Sequence, residues 1–466
     1  MSAPAAATPA TSPADVIARS LLSGGRSPAL VLRVAALPAA TVDALRSRGD
    51  EWLRARAIVS WEQPAKESAA FGFGEARRLC GAQGEGPEAV GARIRELTVA
   101  ATALRHHDGP RLRLFGGMCF DPAQPHRDER WQAFGDWQFV APRVTLQRHG
   151  ADWSGTITWD LDGSEDQSAL ARMVDRELEG VRASAENRAG HRGDKPGTWP
   201  PEEAWKRAVA AAVREIRGGD WRKLVLARSV SVNMPRPIAH GPLLSRLAAR
   251  YAGCNSFKFA VGDAAWVGAT PELLVSLRGG TVAAACLAGS RPRHIDPVVD
   301  ARFSAELLGS AKERSEHAFV VDMMRDSLGP LCDGLSATSV PTIMRMANIQ
   351  HLYTPVAGPV ANGFDIFDLV AAVHPTPAVG GWPREGSREA IRRLEGMDRG
   401  WYAAPIGWVD DTGEGEFAVA LRSALVRGEC ATLYAGAGIV AGSNPADELA
   451  ETELKLRPLW EALKES

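Results

Sequence analysis

The sequence predicts an α+β protein. Strand-like runs follow one another with turn residues between them, and helix-like runs come in groups. The βαβ alternation of a doubly wound parallel sheet is missing. The chain has 466 residues, 45% hydrophobic and 24% charged, which is the balance of an ordinary globular protein.

The first fifteen residues, MSAPAAATPATSPAD, are rich in Ala, Pro and Thr and carry neither a basic nor an apolar segment. They are expected to form a disordered tail and not a secretory signal. Strand-like runs follow in ALVLRVAAL, RLRLFGGMCF and QFVAPRVTLQRHG, and SALARMVDRELEGVRAS reads as a helix. The polar Gly/Pro-rich stretch AENRAGHRGDKPGTWPPEE, residues 185–203, reads as an exposed connection between two parts of the chain. Beyond it, PPEEAWKRAVAAAVREIRGGD is a marked helix: prolines at its start, Glu202 and Glu203 in the first turn, glycines after its end. Trp205, Val209, Val213 and Ile216 form its apolar stripe.

Strands are then expected in KLVLARSVSV, SFKFAVG, AWVGATPELLVSLRGG and TVAAACLAG, with a Gly-Gly hairpin at 279–280. Helices are expected at 301–328, 364–373, 387–400 and 446–464. The strands AAPIGWVD, GEFAVALRSALVRG and ATLYAGAGIVAG lie among them. No repeat of fixed period is visible.

Composition excludes several classes of function. With 54 basic and 56 acidic residues the net charge is −2, so there is no nucleic-acid footprint. No apolar run approaches the roughly 20 residues that span a bilayer. The six cysteines (80, 119, 254, 286, 332 and 430) contain no C-x-x-C pair, which argues against a disulfide or zinc framework and for a reducing cytoplasm. FGFGEA at 71–76 and AGAGIVAG at 435–442 imitate dinucleotide fingerprints. The first lacks a third glycine, and the second lacks the acidic residue about 20 positions on.

Several stretches could carry chemistry. The last helix places Glu448, Glu451 and Lys455 on one face, and helix 301–328 carries Lys312, Glu313 and Glu316. Either set reads as a solvated face, or the two together as oxygen ligands for Mg²⁺. Lys223 opens an apolar strand, and Glu272 stands between apolar strand segments. They read as strand-edge charges, or as a base and an acid facing an apolar cavity with pKa values pushed towards neutrality. HPTPAVGGWP, residues 374–383, stiffens and then loosens the backbone within ten residues, so it is a shaped loop.

Nine stretches taken in order resemble the chorismate-utilising enzymes: KLVLAR, GATPELL, LAGSRPR, KERSEHAFVVD, IQHLYTPVAG, HPTPAVGGWP, DRGWYAAPIGW, FAVALRSA and AGAGIVAGSNPADELAETELKL. Within that family the chain is most similar to the isochorismate synthases. The resemblance covers 196–462, the expected chorismate-binding catalytic region, whereas 16–195 reads as a divergent N-terminal part of the same fold. It implies a single large domain of two stacked, mostly antiparallel sheets with helices outside. It also implies Mg²⁺-dependent isomerisation of chorismate by addition of water at ring C2 and loss of the C4 hydroxyl. Isochorismate of this kind feeds menaquinone, catechol siderophore or salicylate formation.

Carried over position by position, Lys223 would activate water and Glu272 would protonate the departing hydroxyl. Glu316 and Glu451 would hold Mg²⁺, with Glu313 and Glu448 near it. Tyr402, Arg422, Lys455 and the backbone at Gly436 and Gly438 would bind the substrate carboxylates. Ser290, His351 and Ala378 would line the substrate site. Anthranilate synthases carry Gln at the Lys223 position and draw ammonia from a glutaminase. Aminodeoxychorismate synthases carry a nucleophilic Lys in P-I-K-G-T, where this chain has Ala288. No glutaminase subunit is therefore expected, and a monomer is the family default. Salicylate synthases, the alternative reading, typically carry Thr at the Ala378 position. A catalytically silent homologue is disfavoured by the intact Lys223, Glu272, Glu316 and Glu451.

Overall fold

Burial along the strands shows how the sequence builds its layers. In Ile349–Pro359 every second residue is buried, the period of a sheet with one covered face. Ala264–Thr270 is buried throughout, as a central strand covered on both faces must be. The structure, a computed structural model, describes residues 12–22, 31–103, 111–124, 127–161, 166–183, 197–338, 340–345 and 349–465. Within them the side chains of 22, 31, 99–103, 182–183, 312 and 316 are outside the description.

The described strands form two antiparallel sheets, of twelve and ten strands. From one edge the larger runs Val31–Ala36, Asp152–Leu161, Val144–His149, Ser68–Phe73, Val59–Gln63, Asn255–Val261, Ala264–Thr270, Ser423–Arg427, Cys430–Ile439, Lys223–Asn233 and Gly381–Trp382. The smaller runs Ser336–Ala337, Ile349–Pro359, Thr281–Pro292, Leu273–Arg278, Gly415–Val419, Pro405–Asp410, Arg113–Met118, Trp137–Ala141 and Arg77–Cys80. One core lies between them. Trp61, Phe257, Phe259 and Trp266 come to it from the larger sheet, and Phe115, Phe139, Ile406 and Phe417 from the smaller.

Helices cover the outer faces. Trp205, Val209, Val213 and Ile216 of Glu202–Gly218 pack on Leu224, Leu226, Ala437 and Ile439 of the larger sheet, as the predicted stripe requires. The helix Ala311–Leu328 lies against Thr281–Pro292 and Ile349–Pro359 of the smaller sheet. Strands from before residue 196 sit in both sheets, so the N-terminal third and the catalytic region share one core.

Glu416 joins the two layers inside that core. It is 1% exposed and accepts from Trp61 Nε1 (3.1 Å) and Gln63 Nε2 (2.6 Å) of the larger sheet and from Arg278 Nη2 (3.1 Å) of its own. Glu416→Ala orphans two buried donors at about 1–3 kcal/mol each, so an overall loss of about 3 kcal/mol is expected. The urea midpoint should fall with no change of slope; a midpoint within error of wild type would show that the cluster holds nothing together.

Several expected boundaries are corrected. The helix expected over 301–328 is two, Pro297–Gly309 and Ala311–Leu328, because Ser310 turns extended and caps the second, accepting from Glu313 N at 3.3 Å. The helix expected to reach residue 400 stops at Glu395, where Gly396 takes a left-handed φ of 59°. The run 265–280 breaks at Pro271–Glu272 into strands of different sheets. A helix begins at Pro13, within the expected tail, while residues 1–11 lie outside the described residues, as do 184–196 of the connection. The Gly279–Gly280 hairpin is present, with Arg278 paired to Thr281.

Candidate active site

The site is built where the chain passes from one sheet to the other. Ala264–Thr270 ends in the larger sheet and Leu273–Arg278 begins in the smaller, leaving Pro271 and Glu272 at the crossing. Gly415–Val419 and Ser423–Arg427 make the reverse crossing through Arg422. These strands are neighbours in both sheets, so the crossings lie side by side and bring Glu272 to Arg422. The corner is pinned: Thr270 Oγ1 donates to Val419 O (2.5 Å), Glu272 N donates to Thr270 Oγ1 (3.3 Å), and Val419 N donates to Glu272 O (3.0 Å). Arg422 has a φ of +47°, a conformation non-glycine residues keep only where surrounding structure enforces it.

A cavity of about 670 Å³ opens at this corner. Of the residues expected at the site, Glu272, Ser290, His351, Ala378, Arg422, Glu451 and Lys455 line it. Desolvation raises the Glu272 carboxyl above the ordinary carboxylate range. Against it act the positive charges of Lys223 and Arg422, then Thr376 beside it, then Lys455. A carboxyl whose pKa is raised in this way is better suited to act as a general acid near neutral pH.

Ser290 and His351 are cross-strand partners beside a bulge at Gly289, which has a φ of +67°. That bulge turns the Gly289 carbonyl to His351 Nδ1 at 3.1 Å. A carbonyl only accepts, so Nδ1 carries the hydrogen. Burial, and after it the charges of Arg422 and Lys455, depress the imidazole pKa. The ring is therefore held neutral, with Nε2 as an acceptor.

Lys223 does not line the cavity wall itself, yet its charge reaches Glu272. Its neighbouring strand carries Gly436 and Gly438. A Cβ at Gly438 would come within 2.9 Å of Lys223 Cε, and one at Gly436 within 3.4 Å of the Tyr402 hydroxyl. The glycine-rich stretch that imitated a nucleotide fingerprint is thus the gap these two side chains use. Tyr402 also lies behind the wall, its phenol raised to about 12 by burial. Lys455 Nζ bonds Gly436 O (2.8 Å) and Glu451 Oε1 (2.5 Å).

The loop HPTPAVGG is buried from His374 to Gly380 except at Ala378, which faces the cavity. The segment is a shaped loop, as the pattern suggested, and Ala378 is its residue on the cavity.

The acidic groups surround the cavity without converging on one point. Glu451 lines it; Glu448, three residues earlier, does not, and its carboxyl is raised by desolvation, with the charge of Glu451 adding to the shift. Glu313 meets Arg291 Nη1 at 3.4 Å and lies against the bulge, its Oε2 2.7 Å from where a Gly289 Cβ would stand. Glu316 lies on the same helix, its side chain outside the described residues. Among the described residues no three His, Cys, Asp or Glu side chains come together tightly enough to hold a metal. The donor chemistry nevertheless fits a hard cation: carboxylate oxygens whose mutual repulsion such an ion would relieve.

The sequence reading missed part of the lining: Tyr251 and Cys254 just past helix His240–Arg250, and Leu454, Pro458 and Leu459 on the last helix. The latter three could have been found, since 451, 454, 455, 458 and 459 share one helical face. Nothing local marked Tyr251 or Cys254.

The sequence model of the family described as "Chorismate binding enzyme" matches residues 26–464. The salicylate biosynthesis isochorismate synthase of Pseudomonas aeruginosa is 40% identical over 412 residues, covering 86% of this chain and 84% of that protein. Isochorismate synthase MenF of Bacillus subtilis is 37% identical over 357 residues, covering 75% and 74%. The solved structure of MenF, the menaquinone-specific isochorismate synthase from Escherichia coli, shares the fold. Its TM-score is 0.78 at 24% identity, with 96% of this chain and 99% of that one covered. By sequence the chain belongs to the family of chorismate-binding enzymes.

Proposed function

We infer that this protein isomerises chorismate to isochorismate. The observation that carries the reading is Glu272: a half-buried carboxyl at the sheet-to-sheet corner, lining the cavity, its pKa raised by desolvation, within reach of the charge of Lys223. In the proposed reaction Lys223, once it has given up its own proton to become the neutral amine, takes a proton from water, the water oxygen bonds to ring C2, and the ring double bonds shift. The C4–O bond breaks as Glu272 supplies the proton that completes the leaving water. Water enters and water leaves, and the enolpyruvyl group stays attached.

Arg422 offers a planar guanidinium to one substrate carboxylate, with Tyr402, Lys455 and the open backbone at Gly436 and Gly438 beside it. His351, with hydrogen on Nδ1, accepts from a ring hydroxyl through Nε2, next to Ser290 at the rim. Glu316 and Glu451, with Glu313 and Glu448 near them, would hold Mg²⁺; the ion would neutralise the ring carboxylate. With Lys223 where the ammonia-using synthases carry Gln, the nucleophile is water and not ammonia, and no glutaminase subunit is expected. We place the protein in the cytoplasm as a monomer, and no helix among the described residues is long and apolar enough to cross a membrane.

Ala378 leaves the wall beside the ring without a hydroxyl, which favours stopping at isochorismate. Incubation with chorismate and Mg²⁺ at neutral pH should yield a product that retains its enolpyruvyl group, with pyruvate near background. Pyruvate released mole for mole with chorismate consumed would show that the protein forms salicylate instead.

A further inference from the structure

The structure assigns a positioning role to the buried pair Glu395–Arg399, which fixes the Lys223 strand and the loop wall against each other. This rests on the function proposed above. Both residues are 3% exposed and neither lines the cavity. The Arg399 guanidinium donates from Nη1 to Val379 O (2.7 Å) and from Nη2 to Val225 O (2.7 Å). Val225 is two residues from Lys223 on the same strand face, and Val379 follows Ala378 in the wall.

Glu395 holds the guanidinium in this bridge. Its carboxylate takes Nε (3.0 Å) and Nη2, and Oε1 also accepts from Ala227 N (2.7 Å) on the lysine strand. The Phe120 ring packs on the open face of the guanidinium, 4.2 Å from its carbon. Four donor contacts therefore converge on a planar group that a lysine ammonium cannot replace. The same loop carries Thr376, which lies beside Glu272. One guanidinium thus links the strand of the proposed base to the loop that touches the proposed acid. The two groups must meet opposite faces of one ring, so their separation is set through this bridge.

A misplacement of about 1 Å at a reacting centre lowers rate by about 10²-fold while leaving binding largely intact. Arg399→Lys keeps the ion pair but cannot reach Val225 O and Val379 O together. We expect kcat per folded protein to fall about 10²-fold, with KM within about threefold of wild type, while the carbonyl left without its donor lowers the thermal midpoint without unfolding the protein at assay temperature. If that variant does not accumulate as folded protein, Glu395→Asp carries the test, because one methylene fewer withdraws the guanidinium with both charges kept. Glu395→Gln keeps one acceptor for Ala227 N and Arg399 Nη2 but sets an NH2 against Arg399 Nε, so its kcat should also fall. Folded Arg399→Lys or Glu395→Asp with wild-type kcat would overturn the assignment. So would losses of kcat that merely track loss of folded protein. Failure of the function itself is distinguishable, since the wild type would then form no isochorismate from chorismate.

Discussion

Lys223→Ala and Glu272→Gln should each lower kcat by about 10²–10⁴-fold, the range of positioned acid–base catalysis, with much smaller changes in KM. Proton removal from water and proton delivery to the leaving hydroxyl serve one displacement, so neither is useful alone. The double variant should therefore be little worse than either single one. The pH profile adds a signed test. Burial raises the Glu272 carboxyl, so its protonated form persists above the ordinary carboxylate range and is lost as pH rises through that raised value. The alkaline limb of kcat should follow this loss, and Glu272→Gln should flatten it. Near-normal kcat in both folded single variants would remove the acid and base from these positions.

Chelation should abolish turnover altogether. Glu451 lines the cavity and Glu448 stands three residues away. The raised carboxyl of Glu448 records, after desolvation, the repulsion between them. A dianionic substrate brought against these groups would be repelled further in a low-dielectric site unless a cation intervenes. Activity in EDTA is expected to fall to background and to return with added Mg²⁺. Glu451→Ala should stay inactive at Mg²⁺ concentrations that saturate the wild type. Full turnover in EDTA would remove the metal from the proposal.

What the sequence revealed of this site, and what it hid, follows from how far each feature reaches along the chain. The last helix could be read locally, because Glu448, Glu451 and Lys455 follow one period, and the fold keeps Glu451 and Lys455 at the cavity. The stiffened loop at 374–383 could also be read locally. Its backbone chemistry asks for a shaped loop, and between His374 and Gly380 only Ala378 is not buried. The adjacency of Glu272 and Arg422 could not, because it arises from paired crossings between sheets whose strands are distant in sequence. Periodicity ran over such crossings without a break, so AWVGATPELLVSLRGG read as one strand. The same blindness merged 301–328 into one helix, since Ser310 interrupts it without disturbing its composition. Tyr251 and Cys254 reach the cavity from a helix end whose sequence carries no mark of it.

The strand Pro405–Asp410 lies between Gly415–Val419 and Arg113–Met118 in the middle of the smaller sheet. During synthesis at the ribosome, Arg113–Met118 emerges long before the segment that completes its ladder. Until then the nascent sheet has an unpaired interior edge, and Trp61, 355 positions ahead of Glu416, has no acceptor from that carboxylate. Such a topology has high contact order: closure waits on pairings between distant segments, which makes folding slow and leaves strand edges open to other chains. The paired crossings that bring Glu272 to Arg422 close only once residues 415–427 have been made, so the two-sheet core is expected to assemble late.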